Sequence, residues 1–301
     1  MKRLNVKMEN NSKNVLVSKY IQTIFKNVPY SAICKALRNK DIRVNNLKIS
    51  SDVLVGNNDI LDIYIQDSIL FGLPKEIEYY YKDDNIIVAF KPQGILSNNE
   101  DINFSSFEPT FEELIIKDLN DTNIKICHRL DRNTAGLIIF TKNENAYIEI
   151  LAGFKDNLIH KEYIAYVANS NFNKLHDTLE AYLIKDMKTG FSKISQTNTK
   201  NSEKIITEYI VLERNVELDY AKLSIVLHTG KTHQIRAHLA SINHQIIGDS
   251  KYGKNDINKK FKKTKQMLFA YKYTFSFNNQ SILNYLNNII VQLEKNKTEF
   301  K

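Results

Sequence analysis

The chain has 301 residues, enough for two domains, and its 43% hydrophobic and 25% charged composition is typical of a globular protein with a buried core. No apolar run approaches the roughly 18 residues of a membrane-spanning helix, and the polar stretch 9–14 after the basic start argues against a signal peptide. Only Cys34 and Cys127 could form a disulfide, and they fall in segments that we assign to different domains. We therefore expect a reducing, cytoplasmic location.

The positive charge is concentrated near the N-terminus. Residues 1–70 hold 11 Lys and Arg against 6 Asp and Glu, which is +5 of the net +8, and the other 231 residues carry only +3. A concentrated positive charge suits a polyanion such as RNA. An ordinary solvated basic surface would give the same balance, so charge alone leaves both interpretations open.

The N-terminal part is predicted to contain two helices and a small sheet. Apolar residues recur at helical spacing over residues 15–26, and Ser31 is the expected N-cap of a second helix that ends near Arg38. Short alternating stretches predict strands at residues 42–44 and 60–65. These elements would form one compact α+β unit.

The run Val28-Pro-Tyr-Ser-Ala-Ile-Cys-Lys-Ala-Leu-Arg-Asn-Lys-Asp-Ile-Arg-Val-Asn45 resembles the S4 RNA-binding domain. Asn58-Asp59 stands where that family commonly has Gly-Asp. The resemblance implies a small S4-like RNA-binding domain over residues 1–70. Its expected phosphate contacts are the basic side chains Lys35, Arg38, Arg43 and Lys48.

The rest of the chain is predicted to form a second, larger domain over residues 77–292. Strand-like runs alternate there with polar loops, and helical spacing appears at 111–119 and around 146–154. This mixture predicts an α+β fold, built on a large, mainly antiparallel mixed sheet with flanking helices and loops. We place a linker at 71–76 and a polar, frayed tail at 293–301.

The segment Cys127-His-Arg-Leu-Asp-Arg-Asn-Thr-Ala-Gly136 is a charged loop that runs directly into an apolar strand. Such a loop can hold the carboxylate of Asp131 at the mouth of a sheet, where catalytic groups often lie. An Asp between two arginines is, however, more often part of a structural ion pair. The loop alone leaves catalysis and structure open.

Three further segments accompany this loop: Thr229-Gly-Lys-Thr-His-Gln-Ile-Arg-Ala-His-Leu-Ala240, Lys161-Glu-Tyr-Ile-Ala165 and Lys91-Pro-Gln-Gly94. Together with the loop they resemble the motifs of the RluA-type pseudouridine synthases. Ala135 replaces the usual Ser of the His-Arg-Leu-Asp-x-x-Thr-Ser-Gly signature, Lys231 replaces a usual Arg, and Ser97 stands near the place of a common His.

The resemblance implies that Asp131 is the essential catalytic carboxylate, attacking either the sugar C1′ or the uracil C6. It implies that Arg236 pairs with this carboxylate and that Tyr163 stacks on the flipped base and assists proton handling. Arg129 would help to fill the space that the base leaves. The other expected substrate contacts are His128, Lys161, Lys231, His233 and Gln234. No nucleotide, metal or organic cofactor is expected.

A rival interpretation is a metal-dependent hydrolase built on His228, His233, His238 and His244. Successive spacings of five, five and six residues do not align four ligands on one helical face, and there is no His-Glu-x-x-His arrangement. We therefore expect no metal site.

The string at 29–38 most resembles the RluC-type enzymes that act on large-subunit (23S) ribosomal RNA. The predicted function is thus isomerisation of uridine to pseudouridine in that RNA, by a monomer with no membrane partner. The same reaction on transfer RNA is one alternative. A non-catalytic S4-containing RNA-binding or ribosome assembly factor is another.

Overall fold

The computed structural model describes residues 2–6, 14–99, 109–186 and 190–300. The chain divides into two units, residues 1–76 and 77–301. The predicted linker at 71–76 lies within the first unit. Phe71 is buried and belongs to the core of that unit, so the linker prediction is wrong at this residue.

The N-terminal unit combines short strands with helices. Its strands are β1 Lys2–Asn5, β2 Val15–Leu16, β3 Ile42–Val44, β4 Leu47–Ile49, β5 Leu54–Val55 and β6 Ile60–Ile63; its helices are α1 Val17–Ile24, α2 Tyr30–Arg38 and α3 Asp67–Leu70. Four strands form an antiparallel sheet in the order β1-β6-β3-β4, and β2 pairs with β5. Ile21, Ile33 and Leu37 of the two longer helices are buried in its core.

Two predictions for this unit are corrected. The N-cap of α2 is Pro29, in extended conformation, and the predicted cap Ser31 lies inside the helix. Proline suits the start of a helix because its missing N–H would have no partner there. Strand β1 was not predicted; it pairs with β6, and Leu4 within it is buried.

The C-terminal unit is built on a mixed sheet of eleven strands among the described residues. The strands are β7 Tyr79–Lys82, β8 Ile86–Lys91, β9 Lys125–Ile126, β10 Ala135–Thr141, β11 Ile159–Ala168, β12 His176–Lys185, β13 Ser192–Ser195, β14 Ser202–Asn215, β15 Tyr220–Leu227, β16 Leu268–Phe275 and β17 Val291–Gln292. The helices are α4 Phe111–Leu119, α5 Glu144–Lys155, α6 Gln234–Ser241 and α7 Asn255–Lys260.

The strand order is β13-β12-β14-β15-β11-β16-β10-β8-β7, with β17 on β16 and β9 on β10. Of the described pairs, β10 with β16 is parallel and the others are antiparallel. Every residue of β10 is buried, which agrees with its unbroken apolar sequence. The α+β prediction of a large, mainly antiparallel mixed sheet is confirmed.

The predicted polar tail is part of this unit as far as it is described. Leu293 and Thr298 are buried, and the Phe300 ring stacks on Tyr220 with 4.6 Å between ring centres. The apolar side chains of Leu293 and Phe300 thus pack this polar stretch against the unit.

None of the helices among the described residues has the length and apolarity that crossing a bilayer requires.

Candidate active site

Asp131 lies in the loop between β9 and β10, and hydrogen bonds on both sides of it fix that loop. Ser97 Oγ donates to the carbonyl of Leu130 at 2.8 Å and accepts from the Leu130 N–H at 3.0 Å. The Thr134 N–H donates to the carbonyl of Asp131 at 3.0 Å. Because the backbone is held before and after it, the Asp131 side chain leaves the loop in a defined direction.

The Lys-Pro-Gln-Gly segment at 91–94 binds the same loop. The Gly94 N–H donates to the carbonyl of Arg132 at 2.8 Å, and Arg132 Nε donates to the carbonyl of Gly94 at 2.9 Å. Lys91 is fully buried, and its Nζ donates to the carbonyls of Ile95 at 2.8 Å and Arg132 at 3.2 Å. The segment therefore acts as a clamp on the loop that carries Asp131.

Arg236 projects from α6, and its guanidinium bridges two carboxylates. Nη1 donates to Asp131 Oδ2 at 2.8 Å, while Nε and Nη2 donate to Asp249 Oδ2 at 2.7 Å and Oδ1 at 2.9 Å. This contains the predicted ion pair between residues 131 and 236. The Asp131 side chain is 17% exposed, against 6% for Arg236 and 0% for Asp249. The Asp131 carboxylate thus reaches solvent, whereas the side chains of Arg236 and Asp249 behind it are buried.

The two supporting groups hold each other in their charged forms. Burial acts to raise the pKa of Asp249, but Arg236 and two backbone N–H groups keep that pKa below its usual value. Burial likewise acts to lower the pKa of Arg236, yet the carboxylates of Asp249 and Asp131 raise it above its usual value. Arg236 is therefore a fixed cation behind Asp131 at any pH at which the protein is folded.

His233 and Tyr252 form a second contact with this ion pair. His233 Nε2 lies 3.9 Å from Asp131 Oδ2, and its Nδ1 lies 3.0 Å from the Tyr252 hydroxyl. The Arg236 guanidinium carbon lies 5.1 Å from the centre of the Tyr252 ring, within cation–π range. Burial lowers the pKa of His233 to about 4, so at neutral pH this ring is uncharged and its contact with Asp131 is not an ion pair.

At Gly136 and Gly248, the backbone lies closer to a neighbouring segment than a residue with a side chain would allow. Gly136 follows the Asp131 loop at φ 132°, and a Cβ there would lie 2.4 Å from the backbone of Ala270 in the parallel pairing of β10 with β16. Gly248 precedes Asp249 at φ 79°, and a Cβ there would lie 1.9 Å from the carbonyl oxygen of Lys265. Larger residues would displace the segments that carry the two carboxylates.

Asp131 opens into a cavity of about 400 Å³, within the range of small-molecule sites. Tyr163 of β11 lines it, next to a register shift between Glu162 and Tyr163 that changes the strand pairing with β16. Burial raises the pKa of Tyr163 above its usual value, and the charge of Asp131 raises it further. The cavity therefore combines a carboxylate fixed by a cation with a neutral phenol.

The pattern of the protein family described as RNA pseudouridylate synthase matches residues 85–241, which is more than half of the chain and carries both Asp131 and Arg236. The chain belongs to this family.

Individual relatives agree with this membership in the RNA pseudouridylate synthase family. Ribosomal large subunit pseudouridine synthase D of Borreliella burgdorferi is 36% identical over 202 residues, and the match covers 65% of this chain and 60% of that protein. An uncharacterized RNA pseudouridine synthase of Mycoplasma capricolum is 28% identical over 300 residues, covering 93% and 94%. Ribosomal large subunit pseudouridine synthase C of Rickettsia bellii is 29% identical over 264 residues, covering 80% and 83%.

The fold is also that of solved members of the family. The structure of Human RNA Pseudouridylate Synthase Domain Containing 1 matches with a TM-score of 0.60 at 18% identity, covering 75% of this chain and 87% of that one. A likeness at this identity speaks for the fold, the large mixed sheet, and not for the substrate.

Several residues that the family motifs suggested as substrate contacts line the cavity of this synthase. Arg129, Lys161, Lys231 and His233 are among them. Burial lowers the pKa of Lys161 to about 8, and its Nζ lies 4.5 Å from the centre of the Phe154 ring. The Lys231 ammonium forms an ion pair with Glu203.

Gln234 also lines the cavity, and its side-chain amide is hydrogen-bonded within the protein. Its Nε2 donates to the Ile206 carbonyl and to Thr207 Oγ1, both at 3.0 Å. Its Oε1 accepts from Thr229 Oγ1 at 2.9 Å and from the Lys231 N–H at 3.1 Å. All four bonding positions of the amide are thus used inside the protein, where Gln234 joins the Thr-Gly-Lys loop to β14. A direct contact of Gln234 with the substrate stays a prediction.

His128 is also tied into the protein. Its Nε2 accepts from the Ile139 N–H at 3.1 Å and lies 3.0 Å from the Tyr273 hydroxyl. Burial lowers the pKa of His128 to about 3, which keeps the ring neutral. Although His128 borders the cavity, this nitrogen is occupied, so His128 supports the wall of the cavity. Among the described residues, no group of three or more His, Cys, Asp or Glu side chains is arranged to hold a metal ion.

In the N-terminal unit, three of the four predicted RNA contacts are exposed. Lys35 and Arg38 lie on α2 and Lys48 lies on β4, all open to solvent. Arg43 is only half-exposed; its guanidinium carbon lies 5.1 Å from the centre of the Tyr64 ring, and its Nε is buried. We therefore assign Arg43 mainly to the packing of this unit.

Sequence reasoning missed three contributors to the site. Asp249 accepts hydrogen bonds from Arg236, and the Tyr252 ring packs against the Arg236 guanidinium. The third contributor is Ser192, whose N–H donates to the Tyr252 hydroxyl at 2.7 Å. The motif Gly248-Asp249 with Tyr252-Gly253 was visible in the sequence and could have indicated the first two. Ser192 lies on a different strand with no such signal.

Proposed function

We propose that this protein converts specific uridines of large-subunit ribosomal RNA to pseudouridine, with Asp131 as the attacking carboxylate. The observation that carries the proposal is a cavity of about 400 Å³ lined by both Asp131 and Tyr163, in which Arg236 binds the Asp131 carboxylate. Family membership supports the reaction, and the geometry supports the choice of residues.

The reaction breaks the bond between N1 of uracil and C1′ of the ribose, turns the base, and joins C5 to C1′. A base cannot turn within a stack, so the uridine must be flipped into the cavity first. Arg129 on the cavity wall is suited to contact the flipped nucleotide. Asp131 then forms a covalent bond either with C1′, displacing N1 of the uracil, or with C6, which converts the C5–C6 double bond to a single bond.

Tyr163 is proposed to stack on the flipped base and to carry the proton that leaves C5. Because burial raises the pKa of Tyr163, the phenol is neutral at pH 7 and is not a base by itself. It can accept a proton only while passing its own hydroxyl proton onward. The neighbouring carboxylate of Asp131, once released from the substrate, can receive it.

Ribosomal RNA is proposed as the substrate because the spirochaete and rickettsial relatives are named as ribosomal large subunit pseudouridine synthases. We further propose that the N-terminal unit is an S4-like RNA-binding domain, given its two amphipathic helices and the exposed basic side chains Lys35 and Arg38. We also propose that the protein acts as a monomer. The free thiols of Cys34 and Cys127 suit a cytoplasmic enzyme.

The test is a pseudouridine map by chemical labelling. A deletion strain complemented with the wild-type gene should regain the large-subunit sites, whereas Asp131→Asn should not. Asp177→Asn is the matched control, because Asp177 is a carboxylate in an exposed pair with Lys174 at 3.0 Å. Wild-type labelling with Asp131→Asn would refute the assignment of this residue. Loss of labelling in transfer RNA alone would favour the other substrate, and no loss at all would favour a non-catalytic factor.

A further inference from the structure

The catalytic unit contains a second concentration of positive charge. Residues 254–265 hold six lysines and one acidic residue, Asp256, which is +5 in twelve positions. Residues 71–301 together carry only +3, so without this segment they would carry −2. The net positive charge of residues 71–301 is thus accounted for by this one short stretch.

The segment is fixed to the unit by its apolar side chains while its lysines face solvent. Ile257 and Phe261 pack against the core, and the Phe261 and Phe300 ring centres are 5.9 Å apart. The exposed lysines are Lys254, Lys259, Lys260, Lys262 and Lys265. A charged surface on a fixed backbone loses little entropy when it binds a polyanion.

The acidic groups near this surface offset only part of its charge. Lys260 Nζ lies 3.7 Å from Asp219 Oδ2, which leaves the other lysines of the segment. A cavity of about 310 Å³ beside the segment has Glu299 on its wall, but also three lysines, Lys262, Lys263 and Lys265. The net charge of the wall remains positive, which suits phosphate groups.

Asn258 connects the segment 254–265 to the backbone of the active site by hydrogen bonds. Asn258 Oδ1 accepts from the Gly248 N–H at 2.8 Å, and its Nδ2 donates to the carbonyl of Asp249 at 3.0 Å. Asp249 in turn binds Arg236, the partner of Asp131. A short chain of hydrogen bonds therefore connects this segment to the partner of Asp131.

We propose that the lysine surface 254–265 binds the phosphate backbone of the substrate RNA beside the target uridine and so positions that uridine over the cavity. This inference rests on the proposed function for the identity of its ligand. The chemistry recognised is a run of phosphates, so binding at this surface should depend on salt and not on base sequence.

The test compares Lys259→Gln, Lys262→Gln and Lys265→Gln in one protein with the control Lys82→Gln, Lys117→Gln and Lys200→Gln. All six lysines are exposed, and both variants lose three charges. With a large-subunit RNA fragment as the probe, each lost phosphate contact should lower the slope of log K against log salt by about 0.7–0.9. Three contacts correspond to a loss of affinity on the order of 100-fold at 0.15 M salt, and kcat/KM should fall in parallel.

A third variant, Lys259→Arg, Lys262→Arg and Lys265→Arg in one protein, keeps the charge and should bind as the wild type does. Equal salt slopes for the glutamine variant and its control would overturn the inference. That result is also the one expected if the lysine surface binds an acidic protein and not RNA. Weak binding by the arginine variant would overturn it too, because the effect would then not be one of charge. If the wild type binds RNA through this surface but makes no pseudouridine, the proposed function fails while the inference stands.

Discussion

Asp249→Asn tests whether Arg236 must be held from behind for Asp131 to work. In the wild type, Asp249 Oδ2 accepts from Arg236 Nε, and Oδ1 accepts from Arg236 Nη2 and from the N–H groups of Lys251 and Tyr252. An asparagine can place its single oxygen at the Oδ1 position. Its NH₂ group then faces Arg236 Nε, so two donors meet and a buried cation loses a carboxylate.

Breaking a buried ion pair by removing one partner costs about 3–5 kcal/mol. We expect the lower end, about 3 kcal/mol, because Arg236 keeps its bond to Asp131. A guanidinium displaced by about 1 Å would misplace the carboxylate and lower kcat about 100-fold. Asp177→Asn, in an exposed pair, should cost at most about 1 kcal/mol and leave kcat unchanged.

Urea unfolding followed by circular dichroism gives the free energy, and tritium release from 5-tritiated uridine in RNA gives kcat. The difference in stability between wild type and Asp249→Asn should also depend on pH. The pKa of Asp249 is lowered in the folded state, so its contribution is complete above the unfolded pKa of about 3.9 and is lost as pH falls through the folded value. A variant as stable and as fast as the wild type at pH 7 would refute the reasoning.

Three further predictions concern other parts of the molecule. Gly136→Ala should lower the free energy of unfolding by more than about 1 kcal/mol, since it adds a Cβ at φ 132° against the Ala270 backbone; an unchanged urea midpoint would contradict the close approach. Burial lowers the pKa of Lys161 to about 8, so its ammonium loses its charge above that pH and the KM for RNA should rise there. The variant Lys161→Arg should keep KM constant up to pH 9. If its KM rises as that of the wild type does, Lys161 is not the source of the pH dependence. In the N-terminal unit, the triple variant Lys35→Gln, Arg38→Gln and Lys48→Gln changes three exposed basic residues. It should reduce the salt slope of RNA binding by about 2–3, and an unchanged slope would contradict the S4-like proposal.

The sequence predicted those elements whose pattern is local. Helix α4 begins and ends where its apolar spacing indicated, helped by a capping box between Thr110 and Glu113. Strand β1 was missed because its four residues acquire their meaning only from β6, about 60 residues away, where Arg3 binds Asp62 at 2.6 Å. Short segments of this kind carry too little pattern to be recognised alone.

The site was predictable to the extent that motifs carried it. The pairing of Asp131 with Arg236 came from the family resemblance, since nothing in the spacing of two residues 105 positions apart indicates contact. The support from Asp249 and the closed hydrogen bonding of Gln234 depend on three-dimensional packing. A motif therefore indicated which residues gather at the site, but not which of them face the substrate.

The double engagement of Arg236 has a consequence for the covalent stage of the reaction. In the proposed mechanism, Asp131 no longer carries a negative charge once it becomes an ester or a similar adduct. A guanidinium with that carboxylate as its sole counterion would then be an isolated cation in a nearly dry site, at a cost of several kcal/mol. Here Asp249 still neutralises it through two hydrogen bonds. The enzyme can thus lose and regain the charge of its nucleophile in each turnover while the electrostatics behind it stay the same.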